Sequence, residues 1–338
     1  MQLLSIPGLY DIIIVIMMEQ YRSTRSIIEA EEARFTPRFT EVICPIKIKE
    51  GSKNYDLEVG VWYHPDLLTA DDILLCSGGY GEEKLAAIEG VKKLSALGLN
   101  SAWMVLPFDK RKLPSPNKEE LRLWIDTILT EVPIHIAEYF NRLSGKSEDT
   151  PVDLFGVSMG GGSVIMTATN APERYNIIEA KAPSGINDLS SDLTKSQRIL
   201  EFIDEMLSNA MHHEQSIFTD PRNFKGSNEI IRRMIIDIAQ RRFTTKIDYG
   251  MRQDLTESIL KLYLIKGDKF GLWNGDDDSV IPLEKSRKLL NRVYPELENM
   301  IRVYKGSHTG IYADQSYPQL KRIAAHILFE RTKSSRLS

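Results

Sequence analysis

The stretch VDLFGVSMGGGS, residues 152–163, sets Ser158 between glycines at 156 and 160 directly after an apolar run. A serine so placed could belong to a phosphate-cradling loop, a glycine-eased packing turn or an exposed nucleophile. Gly156, Gly161 and Ser163 follow the phosphate-loop spacing, but Gly162 stands where that loop needs its lysine. The point charge that would meet the terminal phosphates is absent. The dinucleotide fingerprint also fails, because no start gives glycines at the first, third and sixth positions. Read as Gly156-Val157-Ser158-Met159-Gly160, the residues fit a strand–turn–helix nucleophile elbow. So tight a turn strains the serine backbone and leaves no room for side chains two residues to either side. It also lifts the serine to a helix N-terminus, where unpaired N–H groups favour negative charge.

A nucleophile of this kind needs a base. Of six histidines, His135 and His326 fall in helical patterns, His212 and His213 in a helical stretch, and His64 at the end of an early strand-like run. His308, in VYKGSHTG, is expected in a loop at the carboxyl end of a late strand, the edge at which Ser158 also emerges. The base needs an orienting carboxylate, and the segment LIKGDKFGLWNGDDDSVIP offers Asp268, Asp276, Asp277 and Asp278. Asp278 is the first choice, because Asp-x-apolar-apolar-Pro leads into the next helix. Asp277 is second, Asp268 third, and Asp188 a remoter alternative. For an oxyanion, the loop CSGGYGEE would supply the Tyr80 N–H to pair with the Met159 N–H. Neither a metal nor an organic cofactor is required by such a set.

The elements that must position these residues follow from the apolar periodicity. EVICPIKIKEG and YDLEVGVWYHP, joined by turn residues near Gly51 to Asn54, predict an antiparallel hairpin. Strand-like runs then alternate with helical patterns: DILLCSGG, a helix ending near Gly98, SAWMVLP, a helix over Lys118 to Leu143, VDLFGVS, another helix, and NIIEAKAPSG. Such alternation means βαβ crossovers and a parallel sheet. Over 187–260 helical spacing replaces it, as in Ile199, Phe202, Ile203, Met206 and Leu207. The sheet is expected to resume with LYLIKG, followed by a helix, the strand NMIRVYKG and a closing helix. The boundaries are thus an extension over 1–38, a core over 39–186 and 261–331, a helical insertion over 187–260, and a frayed tail over 332–338.

The bulk composition limits the partners. A chain of 338 residues, 42% hydrophobic and 27% charged, can bury a large core. Its net charge of −4, without long single-sign runs, leaves no footprint for nucleic acid and points to a small-molecule partner. Cys44 and Cys76 sit in apolar runs and read as reduced core residues, consistent with a cytoplasmic location. The N-terminal LYDIIIVIMMEQ has an uninterrupted apolar part, Ile12 to Met18, far short of a membrane span. No Lys or Arg precedes it, as a signal peptide would require. It reads as a segment docked on the body or on a second copy in a homo-dimer, or attached weakly to a membrane surface, without stable insertion.

Taken together, the chain order Ser158, Asp278, His308, the elbow GVSMG, the loop SGGYGE and the insertion before the seventh strand resemble the α/β-hydrolase fold family. The resemblance covers about Thr40 to Arg331. It implies an α/β fold with a mostly parallel eight-stranded sheet, helices on both faces and the insertion folded as a cap. Two features depart from the pattern: Gly78 stands where histidine is common, and LPFDKRKLPSP keeps Asp109 and Arg111 but lacks glycines found in cap-bearing members. The expected activity is that of a serine hydrolase cleaving a carboxylic ester or thioester of a small-to-medium, partly apolar substrate. Phe202, Met206, Met211, Phe218 and Met234 of the cap would line its pocket or pack the cap on the body. Peptidase, acyltransferase or carbon–carbon hydrolase chemistry on the same residues is one alternative, and a non-catalytic ligand-binding protein another.

Overall fold

The computed structural model describes residues 39–50, 53–79, 82, 84–106, 118–186, 254–278, 280–306, 308 and 316–337. The extension over 1–38, nearly all of the expected cap, Tyr80, Asp109, Arg111 and Asp188 lie outside them. Eight strands form one sheet: β1 (Thr40–Glu50), β2 (Lys53–Tyr63), β3 (Leu74–Ser77), β4 (Ser101–Val105), β5 (Val152–Val157), β6 (Tyr175–Lys181), β7 (Phe270–Gly275) and β8 (Ile301–Tyr304). Their spatial order is β1-β2-β4-β3-β5-β6-β7-β8. The β1–β2 hairpin closes at Glu50 and Lys53, and β2 runs antiparallel to β4. All remaining neighbours are parallel.

Helices cover both faces, as parallel strands require. α1 (Lys84–Ala96) and α6 (Tyr317–Leu337) share one face. There Val91, Leu94, Leu320 and Ile327 pack on Trp103, Phe155 and Trp273. The other face carries α2 (Lys118–Leu143), α3 (Met159–Asn170), α4 (Thr256–Lys266) and α5 (Leu283–Val293). Ile128, Val132, Val164, Ile259 and Leu290 pack there against Leu75, Leu154, Ile178 and Leu272. Every residue of β5 and β7 is buried, as expected of parallel strands with neighbours on both sides and helices on both faces. No described helix is long and apolar enough to cross a membrane.

Two boundaries differ from the sequence reading. LYLIKG is the end of α4 rather than a strand, and the seventh strand begins at Phe270. A short apolar run fits either element. Here Ile259 and Leu262 face the core while Leu264 and Ile265 are exposed, the mark of a helix. Gly267, at φ 55°, ends that helix. The expected resumption of the core at 261 therefore falls inside a helix whose preceding residue, Leu255, already donates to the Gly185 carbonyl at 2.9 Å. The expected frayed tail is also helical as far as Leu337. Lys333 pairs with Asp268 at 3.1 Å, and two residues earlier Arg331 Nε bonds the buried Asp153 carboxylate at 2.7 Å. These pairs tie the last helix to the sheet.

Candidate active site

Ser158 sits between β5 and α3 with φ 54° and ψ −116°, one of only two described non-glycine residues at positive φ. The surrounding structure must hold a serine there against its own preference. Its N–H donates to the Lys181 carbonyl at 2.9 Å, and its carbonyl accepts from Gly162 at 3.1 Å and Ser184 at 2.9 Å. The flanking glycines are sterically required. A Cβ at Gly156 would lie 2.2 Å from the Gly160 carbonyl oxygen, and one at Gly160 would lie 2.3 Å from that of Ser77. Those close approaches bring the carboxyl end of β3 onto the start of α3.

The loop after β3 therefore lies against the serine: a Cβ on Gly79 would be 3.3 Å from the Ser158 Cβ. The Gly79 N–H is already committed, donating to Glu82 Oε2 at 2.6 Å. An oxyanion donor from this loop must then be another amide, and Tyr80, the residue expected to provide it, lies outside the described residues. Met159 opens α3, so its N–H is among the first amides of the helix, which have no intrahelical acceptor.

At the far side of the same edge, His308 Nδ1 lies 2.9 Å from Asp278 Oδ2. The Asp278 side chain has no exposed surface, and its other oxygen accepts from the Ile281 N–H at 2.7 Å. That bond explains the Asp-x-apolar-apolar-Pro spacing, because it turns the chain into α5. The other aspartates are not brought to His308. Asp277 is exposed, and Asp276 spends its carboxylate on the Gly306 N–H at 2.8 Å. Asp268, the third choice, precedes β7 and so lies at the opposite, amino edge of the sheet, where it meets Lys333. Two other histidines are engaged elsewhere: His326 binds the buried Glu179, and His135 lies 3.2 Å from Glu138.

Sequence reasoning missed a buried group beside these residues. Lys181 ends β6 and is only 2% exposed. Burial pushes its ammonium down to about 8, against the opposing pull of the Asp278 and Glu82 carboxylates. The signal was a lysine two residues after a glutamate inside the apolar run IIEAKA. Both are buried charges on one face of a central strand. Among the described residues no three His, Cys, Asp or Glu side chains gather as a metal site would need.

The sheet order, the strained serine and the paired histidine define an α/β-hydrolase. Residues 86–260, just over half of the chain, match the Esterase family model, described as "Putative esterase", and the chain belongs to this family. It is a hydrolase of the α/β-hydrolase type that acts on esters. Solved structures with the same fold include a thermophilic esterase from Thermogutta terrifontis, 14% identical, covering 86% of this chain and 98% of that one with a TM-score of 0.54. A bromoperoxidase from Bacillus anthracis is 14% identical over 87% of this chain and 100% of its own, with a TM-score of 0.55. A carboxylesterase of Nitrososphaera gargenis is 17% identical over 84% and 100%, with a TM-score of 0.52. No curated protein matches the sequence.

Proposed function

We propose that the protein is a serine esterase in which Ser158 is the nucleophile, His308 the general base and Asp278 the group that orients it. The observation that carries this reading is the bond between His308 Nδ1 and the fully buried Asp278 carboxylate. It keeps the imidazole proton on Nδ1 and leaves the Nε2 lone pair to take a proton. Ser158 Oγ attacks the acyl carbonyl as its proton passes to His308. The carbonyl electrons move onto oxygen, which the Met159 and Tyr80 amides stabilise. Collapse of this intermediate returns the electrons, breaks the bond to the leaving group and hands it the proton from His308, leaving an acyl-enzyme. Water, activated by the same imidazole, then releases the acid and regenerates the serine.

The substrate in this reading is a small-to-medium, partly apolar carboxylic ester or thioester. The experiment is labelling of the purified protein with a fluorophosphonate, read by intact mass, beside Ser158→Ala and His308→Ala. One adduct per chain, lost in the serine variant and greatly slowed in the histidine variant, is the expected result. A folded protein that takes no adduct, or one labelled equally after Ser158→Ala, overturns the assignment. An ester, thioester and anilide panel then separates esterase from thioesterase and peptidase.

A further inference from the structure

Behind the elbow the structure buries an unusual set of charges. Lys181 (2% exposed), Glu82 (8%), Lys93 (8%) and Asp278 (4%) are all withdrawn from water. The groups that face the Lys181 ammonium come from four elements. They are Glu82 before α1, Lys93 on α1, Asp278 after β7, and on β8 Tyr304, whose ring centre is 5.4 Å from Nζ. Transferring an ammonium group into such a place is costly, and it is retained only where carboxylates compensate it. An apolar side chain at the end of β6 would fill the same space without that cost, so packing alone does not account for a lysine.

The two carboxylates have opposite relations to the chemistry proposed above. Asp278 bonds His308 and orients its ring. Glu82 holds the Gly79 amide, on the loop that lies against Ser158 and borders the place where an oxyanion would form. A bare carboxylate there repels that oxyanion, and the repulsion is felt because Glu82 itself is only 8% exposed. The Lys181 backbone is fixed to the same site, since its carbonyl accepts the Ser158 N–H.

We propose that Lys181 is a positioning residue for the reaction: its ammonium offsets the Glu82 charge, so that Glu82 can clamp the Gly79 loop onto Ser158 without opposing the oxyanion. The inference rests on the serine-hydrolase reading. It makes the activity depend on a lysine that never touches substrate, and it assigns an alkaline limit to that activity. As the pH rises past about 8 the ammonium loses its proton, its offset to the Glu82 charge is lost and turnover falls.

The test uses the full chain and a p-nitrophenyl ester, with kcat and KM followed from neutral to alkaline pH. Variants are Lys181→Arg, Lys181→Met, Glu82→Gln and the Lys181→Met/Glu82→Gln double, each checked for fold by circular dichroism. Lys181→Met is expected to lower kcat by about tenfold or more with little change in KM, and the double variant to regain most of that loss. Lys181→Arg keeps its charge and is expected to lose the alkaline limb seen in the native protein. A double variant no better than Lys181→Met, or an unchanged limb in Lys181→Arg, overturns the proposal. If Lys181→Met does not fold, the Lys181→Arg profile decides. Fluorophosphonate labelling run alongside separates the two readings: labelling that depends on Ser158 while these charge effects are missing refutes the role of Lys181 alone. Labelling that does not depend on Ser158 refutes both.

Discussion

His308 Nδ1 and Asp278 Oδ2 lie 2.9 Å apart although 30 residues separate them, and the carboxylate side chain has no exposed surface. One oxygen faces the imidazole and the other is held by the Ile281 N–H. The carboxylate is fixed before any substrate arrives, and reorienting it would cost a buried hydrogen bond.

Asp278→Asn should therefore leave the fold intact but lower kcat by about 10⁴-fold, because the amide no longer selects the required tautomer. Asp277→Asn and Asp268→Asn should behave as the native protein. Ester hydrolysis by the three variants checks this, and a large loss at Asp277 or Asp268 would shift the acid elsewhere.

The strain at Ser158 separates stability from activity. Ser158→Gly and Ser158→Ala should both be inactive, but only glycine adopts φ 54° without penalty. The glycine variant should be the more stable of the two by about 1 kcal/mol. Denaturant midpoints of the pair, measured together, read that difference.

Removing the partner of Asp153 should unfasten α6. Asp153 is 3% exposed, and burial raises its carboxyl above the usual range while Arg331 pulls it back. In Arg331→Met the carboxyl rises further, at a cost of about 3–5 kcal/mol when ionised. With an acid of raised folded pKa, the native state binds more protons than the unfolded state just above the usual carboxylate range. Stability therefore falls as pH rises through that window. The deficit of Arg331→Met should be full at neutral pH and shrink on acidification, as chemical melts at the two conditions would register.

Burial pushes the Cys44 thiol up to about 12 and Cys76 well above its ordinary value. Neither should react with Ellman's reagent in the native protein at neutral pH, and both should react after unfolding. Rapid reaction of the native protein at either position would contradict the burial of that thiol.

Much of the site was legible because its signals are local. GVSMG names a strand, a sharp turn and a helix within five residues, and Asp278 was favoured by a spacing that proves to be its own hydrogen bond to Ile281. LYLIKG was misread for the complementary reason. A short apolar run carries no period that separates a strand from a helix, and the neighbours that decide lie far away in the chain. The tail at 332–338 looked free for the same reason, since Asp268, which pairs with its Lys333, is remote in sequence.

The sequence by itself determined most of the alternation of strands and helices and the sharp turn at Ser158, because each depends on residues close together in the chain. Only the tertiary structure decided which aspartate meets His308, that Gly79 spends its amide on Glu82, and that Lys181 is enclosed behind the elbow. Those pairings depend on which strands become neighbours at the carboxyl edge of the sheet. Burial there turns a charge that water would screen into one that must find a partner.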